Sequence, residues 1–105
     1  MLYLMMNKCD NKCLIKVGFS DGPSNLKTRR KSYYGYNPTA IMRSTCAGGR
    51  SEETWCRTVL TEWGGVRITG TEWFVISSDL FDKLYKYGMG LLKPKHHPIH
   101  FLEEF

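Results

Sequence analysis

The chain predicts an α+β fold: a small central antiparallel sheet of about three strands flanked by helices. Three observations point there. Two extended apolar runs, Leu2–Met6 and Leu14–Phe19, flank a short polar turn. A strongly amphipathic stretch, Glu52–Trp63, ends at Gly64-Gly65. The order of segments reads β-β-α-β-α-β-α, which suits an antiparallel sheet covered by helices.

Each element has a local reason. Leu2–Met6 is a continuous apolar run and reads as a strand. In Leu14–Phe19 the residues alternate, with Ile15, Val17 and Phe19 on one face and Leu14, Lys16 and Gly18 on the other. Between them, Cys9-Asp10-Asn11 suits a turn. A four-residue turn at Lys8–Asn11 pairs Asn7 with Lys12 and sets Tyr3 opposite Lys16. A phenol and an ammonium then project together beside Gly18, where a bare Cα admits a close approach. An exposed cross-strand pair with no role is the simpler account of the same residues. Asp21-Gly22-Pro23 breaks the chain, and Ser24 caps a helix over 24–34. Ala40–Cys46 is a third strand. Ser51 caps the helix Glu52–Trp63, and Gly64-Gly65 stops it. Val66–Thr69 and Glu72–Ser77 are short extended pieces around Gly70. A last helix runs over 79–87. The sequence places one domain at residues 1–87 and a tail at 88–105, since periodicity fades beyond Gly88.

In the helix Glu52–Trp63, the apolar residues Trp55, Cys56, Val59, Leu60 and Trp63 fill an arc of about 140°. Glu52 falls near the middle of that arc, and Glu53 falls off it. A carboxylate on an apolar stripe has two explanations. It answers the helix dipole in an exposed first turn, or it serves a metal or a proton.

The chain has 105 residues and a net charge of +5. Residues 1–50 hold nine Lys and Arg against two Asp, giving +7, whereas residues 51–105 carry −2. That asymmetry suits a polyanion, most simply nucleic acid; a solvated basic face accounts for it equally. Lys27, Arg29, Arg30 and Lys31, followed by Tyr33, Tyr34 and Tyr36, interleave cations with aromatics as phosphate and base contacts do. Arg43 joins Lys27, Arg30 and Lys31 as a candidate nucleic-acid contact. The longest apolar run, Leu2–Met6, is too short to span a bilayer, and no signal peptide is recognisable. The expectation is a cytoplasmic protein without a membrane partner. Cys9 and Cys13 are spaced like one zinc knuckle, but Cys46 and Cys56 do not form a second, so free thiols are expected. His96, His97 and His100 remain unassigned.

Taken in order, these pieces resemble the GIY-YIG nuclease superfamily, in its phage-type branch with Lys-Ile-Gly in place of Tyr-Ile-Gly. Leu2-Tyr3-Leu4 stands for the first tripeptide and Lys16-Val17-Gly18 for the second, followed by Phe19-Ser20. Arg29 precedes Asn37-Pro38, Glu52 opens the long helix, and Gly70-Thr71-Glu72-Trp73-Phe74 matches the branch's Gly-x-x-Trp-Phe segment. The resemblance covers residues 1–87. It implies a Mg²⁺-dependent endonuclease acting on DNA, with Mn²⁺ as a substitute metal, RNA as the alternative to DNA, and a bacterial or phage-infected cell as its setting. Glu52 would hold the metal, a hard cation that needs one or two carboxylates. Tyr3 would be the general base. An ordinary phenol titrates near 10, and a neighbouring Lys16 ammonium favours the phenolate. Arg29 would clamp the phosphate oxygens with its planar fork. The alternative is a catalytically decayed module of the same fold that binds nucleic acid or a protein partner.

Overall fold

The computed structural model describes residues 1–9, 11–20, 41–92 and 99–101. The helix expected over 24–34 lies outside them, as do Lys27, Arg29, Arg30, Lys31 and Asn37-Pro38.

The described chain forms an α+β fold whose sheet is twice as wide as expected. Strands β1 (Leu2–Cys9), β2 (Lys12–Phe19) and β3 (Ile41–Cys46) are the three read from the sequence. Helix α1 (Arg50–Glu62) follows, then β4 (Val66–Arg67), β5 (Trp73–Ile76), α2 (Ser78–Tyr87), a 3₁₀ turn (Gly88–Leu91) and β6 (Ile99–Phe101). The order across the sheet is β4-β5-β2-β1-β3-β6, and every neighbouring pair is antiparallel.

The first hairpin corrects the expected register. Cys9 pairs with Lys12, so the loop holds two residues rather than four. Asn11 takes φ 64°, a left-handed conformation that Asn tolerates well. The shorter loop sets Tyr3 opposite Gly18 and Lys16 opposite Met5. Pairing of β1 with β3 slips by one residue at Leu4/Met5, which leaves Arg43 without a partner of its own on β1.

Strand parity sends Leu2, Leu4, Met6, Cys13, Ile15 and Val17 to one face. There they meet Cys56 and Leu60 of α1, Leu80, Phe81 and Leu84 of α2, and Phe74 and Ile76 of β5. The opposite face carries a smaller cluster, Tyr3, Met5 and Met42, with Trp73 packed against it.

Helix α1 is rotated relative to the expected stripe. Its buried residues are Glu53, Cys56 and Leu60. Trp55 is 52% exposed and Trp63 47%, so the two large indoles sit on the outer side. The helix starts one residue before Ser51, on an N-cap at Gly49. At its other end the Gly65 N–H donates to the Leu60 carbonyl at 2.8 Å and the Gly64 N–H to that of Thr61 at 3.1 Å. With φ 89° at Gly64, this is the Schellman closure that a Gly-Gly pair allows. Helix α2 is capped by Ser77, whose hydroxyl accepts from the Leu80 N–H at 3.2 Å.

The fold continues past residue 87, where the sequence pattern ends the domain. Met89 and Leu92 are fully buried in the main core, and β6 extends the sheet beyond β3. Gly88, with φ 61°, has no room for a side chain, because a Cβ there would lie 2.7 Å from the Ser44 hydroxyl. That hydroxyl accepts from the Met89 N–H at 3.0 Å. Among the described residues no helix is long and apolar enough to cross a membrane. Cys13, Cys46 and Cys56 are buried and take part in no disulfide among the described residues.

The rotation of α1 is open to measurement. In urea unfolding, Leu60→Ala is expected to cost about 2–5 kcal/mol, as for truncation of a buried leucine. Trp55→Ala is expected to cost less than about 1 kcal/mol, as for most surface changes. A larger loss from Trp55 than from Leu60 would show that the helix faces the other way.

Candidate active site

Two of the four expected catalytic residues meet on one face of the sheet. Tyr3 of β1 and Lys16 of β2 have the same parity and are diagonal neighbours across the pair. Gly18 is where it is because of Tyr3. A Cβ built on Gly18 would overlap the phenol ring and its hydroxyl, so the ring lies over bare backbone. The close approach that glycine permits here is made by Tyr3 itself. On its other side Tyr3 pairs with Thr45 of β3. The phenol is 1% exposed.

Lys16 is also buried, at 8% exposure, and a buried ammonium needs a counter-charge. Its Nζ lies 3.2 Å from Oε2 of Glu72. The other oxygen of Glu72 lies 3.1 Å from Nη2 of Arg57, which lies 3.4 Å from Oε1 of Glu53 one turn earlier on α1. The four groups alternate in sign, Lys16–Glu72–Arg57–Glu53, and run from the sheet to the helix. The gap they cross is set by strand length. β5 pairs with β2 only from Cys13 to Lys16, so Nη2 of Arg57 also reaches the Val17 carbonyl, at 3.4 Å.

Burial by itself would raise the pKa of Glu72. The Lys16 and Arg57 cations outweigh it through hydrogen bonds and direct attraction, and hold the carboxyl below its usual value.

Glu52 stands at the start of α1 and is half-buried. Its Oε2 accepts from the Gly49 N–H at 3.0 Å and from the Ser51 hydroxyl at 2.7 Å. The carboxylate thus answers the open end of the helix. Ser51 supports it rather than capping the helix, which corrects the expected role. Gly48 lies between Glu52 and Leu2: a Cβ there would come within 2.8 Å of Leu2 Cδ1 and 3.4 Å of Glu52 Cβ. This packing brings the first turn of α1 to the end of β1 that carries Tyr3. The two glutamates have exchanged places relative to the sequence reading, with Glu53 on the buried stripe and Glu52 beside it. The indoles of Trp55 and Trp63 had pulled the expected arc toward themselves.

Arg43 is occupied elsewhere. Its Nε donates to the Tyr85 carbonyl at 2.6 Å. The guanidinium lies 4.4 Å from the Tyr85 ring centre and 4.8 Å from that of Phe101. It ties β3 to α2 and β6. Sequence reasoning missed Arg57 and Glu72. The Glu53/Arg57 spacing of four residues was the available signal for the first; Glu72 stood unremarked inside the Gly70–Phe74 segment. Among the described residues, no three or more His, Cys, Asp or Glu side chains gather as a metal cage. No family model, curated protein or solved structure matches this chain.

Two outcomes are expected. Gly18→Ala should destabilise the fold by about 1–3 kcal/mol, the cost of overpacking. In the Tyr3→Ala background the same change should cost much less, a coupling that a double-mutant cycle reads directly. Glu72 makes stability depend on pH. Its folded pKa is lowered, so its contribution is present above the ordinary Glu range, near pH 4.3. That contribution is lost as pH falls through the lowered value. The Glu72 side chain is 47% exposed, so the contribution is about 1 kcal/mol or less and shrinks with salt. Unfolding of wild type and Glu72→Gln should differ at pH 7 and converge toward pH 2.

Proposed function

We propose that this protein is a metal-dependent endonuclease that hydrolyses phosphodiester bonds in DNA. The observation that supports the reading most is that Tyr3 and Lys16 are diagonal neighbours on one sheet face, with Tyr3 over Gly18. The first turn of α1, which carries Glu52, packs at the same end of β1. Hydrolysis needs a base for water, a cation for the phosphate and a stabilised leaving oxygen.

The donor set fits a hard cation held by one carboxylate. Mg²⁺ binds through one or two carboxylates and keeps most of its waters, so it needs no protein cage. Glu52 is half-buried and anchored by the Gly49 N–H. Glu53 is the poorer ligand, because Arg57 already neutralises it. Bound Mg²⁺ or Mn²⁺ would polarise the phosphate and favour departure of the leaving oxygen. Tyr3 would take the proton of the attacking water. Lys16 would favour the phenolate form of Tyr3, and Glu72 keeps Lys16 in place. The clamp assigned to Arg29 rests on the resemblance alone.

The burial of Tyr3, 1% exposed, favours a second reading. In it the domain keeps the fold and binds nucleic acid or a protein partner without cleaving.

A plasmid-cleavage assay with Mg²⁺ or Mn²⁺ decides between the two. Under the nuclease reading, wild type cleaves, and Glu52→Ala loses activity by about a hundredfold or more while still binding DNA. Tyr3→Phe, which keeps the ring over Gly18, also loses cleavage. Glu53→Ala lowers stability through Arg57 but retains cleavage. Wild-type protein that binds nucleic acid yet cleaves neither DNA nor RNA would leave the binding module as the function.

A further inference from the structure

Beyond the sheet face, a second polar cleft opens between α1 and the β4–β5 hairpin. It holds about 320 Å³ and is lined by Thr54, Arg57, Thr58, Thr61, Arg67 and Phe74. Among the described residues, two arginines line it and no carboxylate does.

The state of these two arginines is informative. All contacts of the Arg57 guanidinium, to Glu53, Glu72 and the Val17 carbonyl, are made by Nη2. Among the described residues, neither its Nη1 nor its buried Nε makes a hydrogen bond. A guanidinium carries five N–H donors, so the two on Nη1 remain unspent, whereas the buried Nε–H is closed to a ligand. Arg67 spends its Nε on the Thr71 carbonyl at 2.7 Å, and both its terminal nitrogens stay available among the described residues. The threonines are already committed: Thr54, Thr58 and Thr61 each donate to the carbonyl four residues back, at 3.0–3.1 Å. They give the cleft a small polar wall and leave recognition to the arginines.

Charge names the ligand. Lys16, Arg57 and Arg67 stand against Glu53 and Glu72, which leaves a local charge of +1. One negative charge with two or more acceptor oxygens meets both the excess and the unused donors, and arginine pairs with phosphate oxygens in this way. The geometry points to a phosphate-binding subsite in this cleft, in which Arg57 and Arg67 take the non-bridging oxygens of one phosphate. Its occupant is a phosphodiester of a nucleic-acid strand; free phosphate offers the same chemistry. The inference rests on the nucleic-acid partner proposed above, not on cleavage.

The test has two arms. Binding of a fluorescent duplex oligonucleotide is measured against salt for wild type, Arg67→Ala and Arg67→Lys. Loss of one phosphate contact should weaken binding and reduce the magnitude of the log–log salt slope by about 0.9. Arg67→Lys should keep the slope. In the second arm, ¹H–¹⁵N spectra follow a titration with inorganic phosphate, which should shift the Thr58 amide and the Arg67 Nε–H. Thr58→Glu, which places a carboxylate in the cleft, should abolish both effects. Phosphate-induced shifts without oligonucleotide binding, or with an unchanged slope, would identify free phosphate as the occupant. In the first of those cases the nucleic-acid partner alone fails. An unchanged slope in Arg67→Ala together with no phosphate-induced shifts would overturn the subsite.

Discussion

Between Leu2 and Asn7 no side chain of β1 is more than 3% exposed, on either face of the sheet. A strand buried on both faces lies inside the sheet, and here β2 and β3 flank it. It also cannot alternate apolar with polar residues, which is why Leu2–Met6 reads as an unbroken apolar run. The two faces differ in chemistry. Leu2, Leu4 and Met6 meet the described helices in an apolar core. The other face holds polar groups among apolar ones: Tyr3 and Asn7 of β1 and Lys16 of β2, with Met5, Met42 and Trp73. The buried polar side chains of the two central strands, Tyr3, Asn7 and Lys16, all lie on that second face.

The ion ladder follows from the same burial. Lys16 is withdrawn from water, and its charge is tolerable only with a carboxylate in contact. Glu72 meets that need from the turn before β5, and Arg57 and Glu53 extend the alternation to α1. β5 ends its pairing with β2 at Lys16, and the opening lets Arg57 reach the Val17 carbonyl. One guanidinium therefore closes the sheet edge, ties down the helix and lines a cleft. The turn that delivers Glu72 is shaped by Gly70, whose φ of 79° suits the third position of a type II turn closed by the Thr71 N–H to the Ile68 carbonyl.

Much of the candidate site was legible. Strand parity places Tyr3 and Lys16 on one face, and a pair of glycines ends α1, whatever the rest of the molecule does. Their register was not legible. A hairpin loop of two residues and one of four are both compatible with Cys9-Asp10-Asn11, and each gives Tyr3 a different partner without changing its face. The rotation of α1 was obscured by its tryptophans. A large indole counts as apolar in any arc, yet Trp55 and Trp63 lie outside while Glu53 lies in, since Arg57 neutralises it. Arg43 looked like one more cation on a basic half. Only the bulge in β3 and the rings of Tyr85 and Phe101 show what its guanidinium packs against.

Alternation, glycine pairs and polar breaks act over a few residues, so the sequence by itself determined the described strands and helices up to residue 87 and which side chains share a strand face. What the tertiary structure decided depends on partners far away in the chain. The loop length of the first hairpin yields to packing of Tyr3 over Gly18. Glu72 becomes a counter-ion only once β5 lies beside β2. Residues 88–101 lack periodicity, yet Met89 and Leu92 complete the core and β6 widens the sheet, because burial there is set by the surface they meet. A local pattern cannot encode contacts whose energy comes from groups brought together only by the completed fold.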